Sequence, residues 1–238
     1  MATAPAFTKR DSWERIRDTL GPAAAGRILD LACGPGIVTA ALAPTAREVV
    51  GYDLTPEMLA QARRRCEAAG LTNVRFEQGA AESLPFPRAA FDAVVTRATI
   101  HHFPEPAVVF AEMARVLKPG GHLVVADIVT SPDPEDAALH NALEILRDPS
   151  HIRMVTADEL LAFAQGAGLD VVARARWTER RRFGEWAAIV RDAARTAPLR
   201  TIMRSLARSG LDAGIGLSDG ADDLEFDHHW ILVTATRA

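Results

Sequence analysis

Cysteine is nearly absent: the 238 residues contain two, Cys33 and Cys66. One falls in a strand-to-helix turn and the other in a helical stretch, positions that suit small buried thiols better than a disulfide. A chain so poor in cysteine fits a reducing compartment. Charge of one sign is equally scarce. Lys and Arg total 27 against 31 Asp and Glu, a net charge of −4, so no global field draws the chain to nucleic acid or to an anionic membrane. Long hydrophobic runs are missing too: the longest charge-free stretch, Leu31 to Ala46, is broken by Gly34, Pro35, Gly36 and Pro44 and cannot span a bilayer. The opening MATAPAFTKRD has no apolar core of signal-peptide length. No internal repeat and no low-complexity linker is found. These absences lead to the expectation of a cytoplasmic protein with neither membrane nor nucleic acid as a partner. What remains, 48% hydrophobic and 24% charged residues, is sized for one α/β domain with a cap, or at most two small domains.

The chain is organised around Ile28 to Thr39, ILDLACGPGIVT. Ile28 to Leu31 is a short apolar run of the kind that forms a buried strand; Gly34-Pro35-Gly36 ends it, and Ile37 to Ala43 starts a helix. A strand that passes through glycines into a helix N-terminus brings backbone close to a ligand and aims free N–H groups at negative charge. A tight turn with no ligand would leave the same pattern. The second strand, from Glu48, ends at Asp53, 17 residues beyond Gly36. A carboxylate at that tip is the usual clamp on the two hydroxyls of an adenosine ribose. The two signals together read as an adenosine-binding βαβ unit. A dinucleotide fingerprint needs a third glycine, and Thr39 stands in its place.

The string DLACGPG resembles the first motif of class I S-adenosylmethionine-dependent methyltransferases. Asp53 to Leu59 (DLTPEML) is similar to that family's second motif, Gly79 to Phe86 (GAAESLPF) to its third and Arg97 to Phe103 (RATIHHF) to its fourth. Arg115 to Gly121 (RVLKPGG) is similar to its helix-to-strand connector. The motifs cover residues 26 to 130 in the family's order and spacing, with most likeness to the ubiquinone/menaquinone-biosynthesis-type (type 11) small-molecule methyltransferases.

The resemblance implies an α/β fold: a Rossmann-like, doubly wound, mostly parallel seven-stranded sheet with an antiparallel last strand and a small helical cap. The whole chain would be one domain, with a cofactor-binding core over 22–130, a cap and substrate-facing segment over 131–168, and sheet completion over 169–238. It also implies S-adenosylmethionine as cofactor, S-adenosylhomocysteine as product, and a methyl group passed to an O, N or C atom of a small molecule. Oligomeric state is left open. Two alternatives keep the pocket and change the outcome: a cofactor-binding subunit that activates a partner without methyl transfer, or an enzyme of other chemistry such as decarboxylation or cyclisation. The implied cofactor-binding set is Asp30, Cys33, Gly34, Gly36, Asp53, Leu54, Met58, Ala80, Ala81, Glu82 and Arg97, with Ala81 and Glu82 beside the adenine. Ala80 departs from the pattern, because relatives commonly carry Asp after this glycine. Adenine recognition would then rest on backbone groups or on Glu82.

Along the rest of the chain, Trp13, Ile16 and Leu20 recur at helical spacing before Gly21-Pro22, a stripe that suits packing on the core, whereas the family resemblance implies a helix laid over the cofactor. Thr55 is placed to cap a helix with Pro56 at its first position, and Arg63, Arg64 and Arg65 would face solvent. Strands are predicted from Val74, over Phe91 to Thr96 and over His122 to Val129, with a helix from Pro106 closed by Lys118 to Gly121. Beyond these, a helix is expected over Pro132 to Leu146 and an irregular polar segment over Arg147 to Arg153. Thr156 and Glu159 form a capping box. Strands follow over Leu169 to Trp177, as an exposed edge, and over Phe226 to Thr236. Helices are expected at Phe183 to Arg195 and Leu199 to Leu206, a solvated run at Arg180 to Arg182, and a mobile Gly/Asp-rich stretch at Gly210 to Asp223.

Ligands of open α/β sheets bind beyond the carboxyl ends of the strands, which points to Arg97 to His102 and Asp127. His101, His102 and Asp127 are the catalytic candidates, since imidazole titrates near neutrality. In one reading Asp127 orients His101, which takes the acceptor's proton. In the other Asp127 caps the loop into Pro132 and His101 only shapes the pocket, while His102 bonds backbone. Arg147, His151 and Arg153 are the substrate-binding candidates, as a polar wall or mobile lid meeting a carboxylate or phenolate. No metal is expected at His101-His102 or His228-His229, because adjacent residues rarely face one ion and no acidic or thiol cluster accompanies them.

Overall fold

The computed structural model describes residues 10–190 and 192–238, with the side chains of 10–12 left aside. The leader-region reading therefore lies outside the described residues. The elements run α1 (Arg10–Leu20), β1 (Arg27–Leu31), α2 (Ile37–Leu42), β2 (Glu48–Asp53), α3 (Pro56–Ala68), β3 (Val74–Gln78), β4 (Phe91–Arg97), α4 (Pro106–Val116) and β5 (Leu117–Val129). They continue with α5 (Pro134–Arg147), α6 (Ala157–Gly166), β6 (Leu169–Arg182), α7 (Phe183–Ala187), α8 (Ala193–Arg208), β7 (Ser218–Asp219) and β8 (Leu224–Arg237).

One sheet takes every strand among the described residues, in the order β3-β2-β1-β4-β5-β8-β6, with the two-residue β7 pairing β8 beside the main path. The first five strands are parallel; β8 runs antiparallel between β5 and β6. The expected doubly wound sheet with an antiparallel last strand is what forms, seven strands on the path and a short eighth at its side. Alternate residues of each central strand feed opposite layers, as a two-sided sheet requires. Ile28, Val49, Ala93, Val95 and Val124 pack with Ile16 and Leu20 of α1. Leu29, Val50, Val94 and Val125 pack with Phe110 and Met113 of α4 and Leu160 of α6. Trp13, partly buried, belongs to the first of these layers.

Strand order reverses between β1 and β4, which opens a crevice at their carboxyl ends. β8 pairs β5 only from His229 onwards, whereas it pairs β6 from Glu225 to Arg237. The β6–β8 ribbon thus overhangs the carboxyl end of β5, and the cap builds on that overhang. Leu143, Phe183, Trp186, Leu199, Met203, Leu224 and Phe226 form the cap's own core.

Several local expectations are corrected. Lys118 to Gly121 belongs to β5, as an irregularity in its pairing with β4. The helix expected at Phe183 to Arg195 is the short α7, and α8 runs through Pro198. Gly210 to Asp223 is folded rather than loose: Ala213, Ile215 and Leu217 are buried in the cap core, because Gly214 and Gly216 take left-handed conformations that turn them inward. Arg181 is not solvated but 2% exposed. Arg180 and Arg182, its neighbours, are at the surface, paired with Asp227, Glu225 and Asp222.

Candidate active site

Beyond β1 the chain turns through left-handed Ala32, Gly34 and Gly36. Gly36 is the N-cap of α2; a Cβ there would stand 2.7 Å from the Cβ of Ala62, so α2 meets α3 at a distance only glycine allows. Gly34 N–H donates to Asp53 Oδ2 at 2.8 Å, and Asp53 Oδ1 accepts from Thr55 N–H at 2.9 Å. The carboxylate therefore ties the tips of β1 and β2 together. Thr55 is the N-cap of α3 without a side-chain cap bond. Arg65, expected in a solvated run, instead donates Nε to the Pro35 carbonyl at 2.9 Å and braces the turn from behind.

Thr39 is fully buried and its hydroxyl donates to Asp30, which explains the threonine where a dinucleotide site has glycine. Burial lifts the Asp30 carboxyl to about 7, and Asp53 adds to it, against the lowering effect of the Thr39 hydrogen bonds and Arg97. Burial, then Asp30 and Asp53, also push the Cys33 thiol up, so it stays protonated and unreactive. Leu54 is 65% and Met58 37% exposed beside Asp53. Gly79 packs so closely on Tyr52 that a Cβ would strike its hydroxyl, and that hydroxyl donates to the Ala80 carbonyl at 3.4 Å. Ala80 itself is exposed, Ala81 buried and Glu82 half-buried. Arg97, half-buried at the end of β4, lies over the Trp230 ring at 5.2 Å. The cradle fits an adenosyl group. Gly34 faces open space, Asp53 retains lone pairs beyond its two backbone bonds, and Leu54 and Met58 offer apolar surface to a flat ring.

At the ends of β4 and β5, left-handed Ala98 opens the loop that carries Ile100 to His102. Asp127, 1% exposed, is the anchor of this loop. Its Oδ2 accepts from Thr99 and Ile100 N–H at 2.9 and 2.6 Å, and its Oδ1 from Ile128 N–H at 2.7 Å. His101 Nδ1 completes the set at 2.8 Å from Oδ1. Burial would raise the Asp127 carboxyl, but His101 and the backbone N–H groups outweigh it and hold it below its ordinary value. An ionised carboxylate can only accept, so Nδ1 carries the proton and Nε2 keeps its lone pair. Burial opposes the charged imidazolium, yet the charge and hydrogen bond of Asp127 prevail, and His101 lies above its ordinary value. His102 goes the other way, lowered by burial and by His101, with Nδ1 on the Ser150 carbonyl at 2.9 Å. Asp127 does not cap the loop into Pro132; Asp133 caps α5.

The three substrate-facing candidates are not brought together. Arg147 ends α5 with its head buried, Nε and Nη2 on Glu144 Oε2 at 2.9 and 2.8 Å and its Cζ over Trp186. Arg153 is exposed and paired with Glu159. His151, 3% exposed, stacks on His101 with centroids 5.3 Å apart and meets Asn141 Oδ1 at 3.1 Å. The segment between them is tied down: Ile152 and Arg153 N–H both donate to the His101 carbonyl. His140, Asn141, Glu144, Arg181 and His228 complete this buried polar region. The sequence reading names only His228, as a rejected metal ligand, and Arg181, as solvated, although His140, Glu144 and Arg147 recur at helical spacing and His228 alternates with Phe226 and Trp230. A cavity of about 430 Å³ opens past the end of β5, between Thr130, Thr156, Trp177 and His229. It holds none of the predicted site residues.

Residues 29–125 match the model of a methyltransferase domain family. The chain is 36% identical over 160 residues to the uncharacterised methyltransferase YcgJ of Bacillus subtilis strain 168, covering 67% of this chain and 63% of that protein. The crystal structure of YcgJ superposes with a TM-score of 0.87 at 29% identity, covering 94% and 97% of the two chains. A demethylmenaquinone methyltransferase of Thermus thermophilus is 49% identical over 109 residues, 44% of this chain and 49% of that protein. The matched region thus spans about half to two thirds of these curated relatives' length.

Proposed function

We propose, on the premise that the chain belongs to the methyltransferase-domain family its residues 29–125 match, that it transfers a methyl group from S-adenosylmethionine to an O, N or C atom of a small-molecule acceptor. The observation that carries the reading is the joining of the glycine turn to Asp53 at the strand switch point, with the His101–Asp127 pair on the neighbouring strand ends.

When bound, S-adenosylmethionine supplies a methyl carbon already activated by its sulfonium. The chain's own work is placement and proton removal. Gly34, Gly36 and Asp53 hold the nucleoside end, with Leu54, Met58 and the Ala80–Glu82 loop around the base. Holding two reactants in a near-attack arrangement supplies on the order of 7–11 kcal/mol. His101 Nε2 takes the acceptor's proton, which contributes roughly 10²–10⁴-fold. Asp127 fixes the tautomer and stabilises the imidazolium so formed. His102 orients the loop through Ser150.

Calorimetry with S-adenosylhomocysteine on the native chain and Asp53→Ala tests the cofactor side. Affinity should fall about 10–100-fold, the worth of one charge-assisted hydrogen bond. Unchanged affinity would place the pocket elsewhere. A screen of small acceptors by mass spectrometry, looking for products heavier by one methylene, tests transfer itself.

A further inference from the structure

Methyl transfer as proposed leaves the buried polar region behind His101 without a role. His140, Glu144, Arg147, His151, Arg181 and His228 are each between 1 and 9% exposed. Glu144 is their one carboxylate, and it is fully engaged. Its Oε2 takes Arg147, its Oε1 takes Trp186 Nε1 at 3.2 Å, and the Nε2 atoms of His228 and His140 stand 3.6 and 4.0 Å from that same Oε1. Arg147 Nη1, Arg181 Nε and Nη2 and His151 Nδ1 are buried without any hydrogen-bond partner.

Among the described residues no carboxylate lies within ion-pair distance of Arg181; Glu179, Glu185 and Glu144 act on it only from further off, and Arg147 opposes its charge. The imidazoles do not add charge. Burial lowers His140 and His151 to about 4 and takes His228 below its ordinary value. Among the described residues Arg147 has two carboxylates in reach, Glu144 and the half-buried Asp148 at 4.0 Å, and Arg181 has none. Buried guanidinium donors without acceptors are costly enough that a folded protein keeps them where something else completes them.

We propose that this cluster receives a carboxylate carried by the methyl acceptor, with Arg181 and Arg147 as the guanidinium pair that binds it. The proposal rests on the methyl-transfer reading. A guanidinium fork matches a carboxylate in two parallel bonds, and the free edge of such a fork is what Arg181 Nε and Nη2 present. His151 lies between the two sites: its ring stacks on His101, and it meets Asn141, the residue next to His140 on α5. On the far side Thr130, on the wall of the 430 Å³ cavity, meets His140 Nδ1 at 3.4 Å, so that open space ends against the cluster.

The test is a nuclear magnetic resonance titration of the arginine Nε–H signals in the full chain saturated with S-adenosylhomocysteine. The probes are acetate and benzoate, each against its amide. The carboxylates should shift the Arg181 and Arg147 signals saturably and bind at least about tenfold tighter than the amides. Arg181→Lys should abolish that preference at unchanged melting temperature and unchanged cofactor affinity. If Arg181→Lys does not fold, Arg147→Lys and the carboxylate–amide contrast in the native chain decide. Equal affinity for acid and amide, or the same shift from chloride alone, would overturn the proposal while leaving methyl transfer standing. Failure to bind S-adenosylhomocysteine would instead overturn the methyl-transfer reading.

Discussion

Replacing Asp127 by Asn keeps the shape of the anchor and changes two of its properties, charge and proton count. In the native chain four N–H groups converge on the carboxylate: Thr99 and Ile100 on Oδ2, Ile128 and His101 on Oδ1. An Asn oxygen in the Oδ2 position can keep the first two. Its amide nitrogen then faces the Ile128 N–H, donor against donor, and can meet His101 only if Nδ1 becomes the acceptor. His101 would be driven into the other tautomer, with the proton on Nε2 and no lone pair for the acceptor. One buried N–H left unserved and one charge-assisted bond lost amount to about 2–5 kcal/mol of stability. Turnover should fall by roughly 10²–10⁴-fold, while affinity for S-adenosylhomocysteine, measured by calorimetry, holds. The pH profile gives the sharper reading. Because Asp127 raises the His101 value, native turnover should climb with pH through an apparent pKa above that of free imidazole. In the Asn variant that limb should vanish from whatever activity is left. A folded Asp127→Asn protein with turnover within about tenfold of native and the same limb would refute general-base catalysis and leave placement alone.

Gly36→Ala should lower the melting temperature and cofactor affinity together, since the new Cβ would meet Ala62 at 2.7 Å in a backbone of φ 76°; the expected cost is about 1–3 kcal/mol, read by denaturant titration. Acid should destabilise the fold between pH 6.5 and 4. His140 and His151 bind protons near 6.5 when unfolded but only near 4 when folded, so the stability they contribute is complete above 6.5 and lost as pH falls. Each adds up to about 1.4 kcal/mol per pH unit. Asp30, raised to about 7, works the opposite way over 3.8 to 7, so a melting temperature that stays flat or rises from pH 6.5 to 4.5 would contradict the two-histidine account. Ala80→Asp, at an exposed position, should leave cofactor affinity unchanged or raise it; a large loss by calorimetry would show a pocket built around the small side chain.

Most of the span from 26 to 130 was legible because its signals are local. A strand tip, a glycine turn and an acidic residue at fixed spacing describe Gly34, Gly36 and Asp53 almost completely, and the pairing of His101 with Asp127 follows from both leaving neighbouring parallel strands. The cap was legible only in part. Arg181 sits in a run of three arginines and reads as solvent-facing; what buries it is β6's register against β8, opposite Phe226, and α7 packed above. Arg147 reads as the start of a polar loop, yet it closes the last turn of α5 on Glu144, one turn back. The folding of Gly210 to Asp223 depends on Ile215 and Leu217 finding Met203 and Leu224, contacts that no window of neighbouring residues contains.

The overhanging ribbon of β6 and β8 also sets which part of the molecule can vary without disturbing the nucleoside cradle. Arg182 and Glu225 are partners in the ladder, so the chain between them leaves and re-enters the sheet at one point, like a long hairpin loop, with the two-residue β7 on its returning side pairing β8. That excursion supplies α7, α8 and much of the cap core, whereas the hydrogen bonds of the glycine turn and Asp53 run to Thr55 and Arg65. Lineages that share the strand-switch half could therefore exchange, shorten or elaborate this one insert and redraw the acceptor chamber while inheriting the nucleoside cradle intact. Arg181 and His228 stand on the inherited strands rather than on the insert, so an exchanged insert would still close over them.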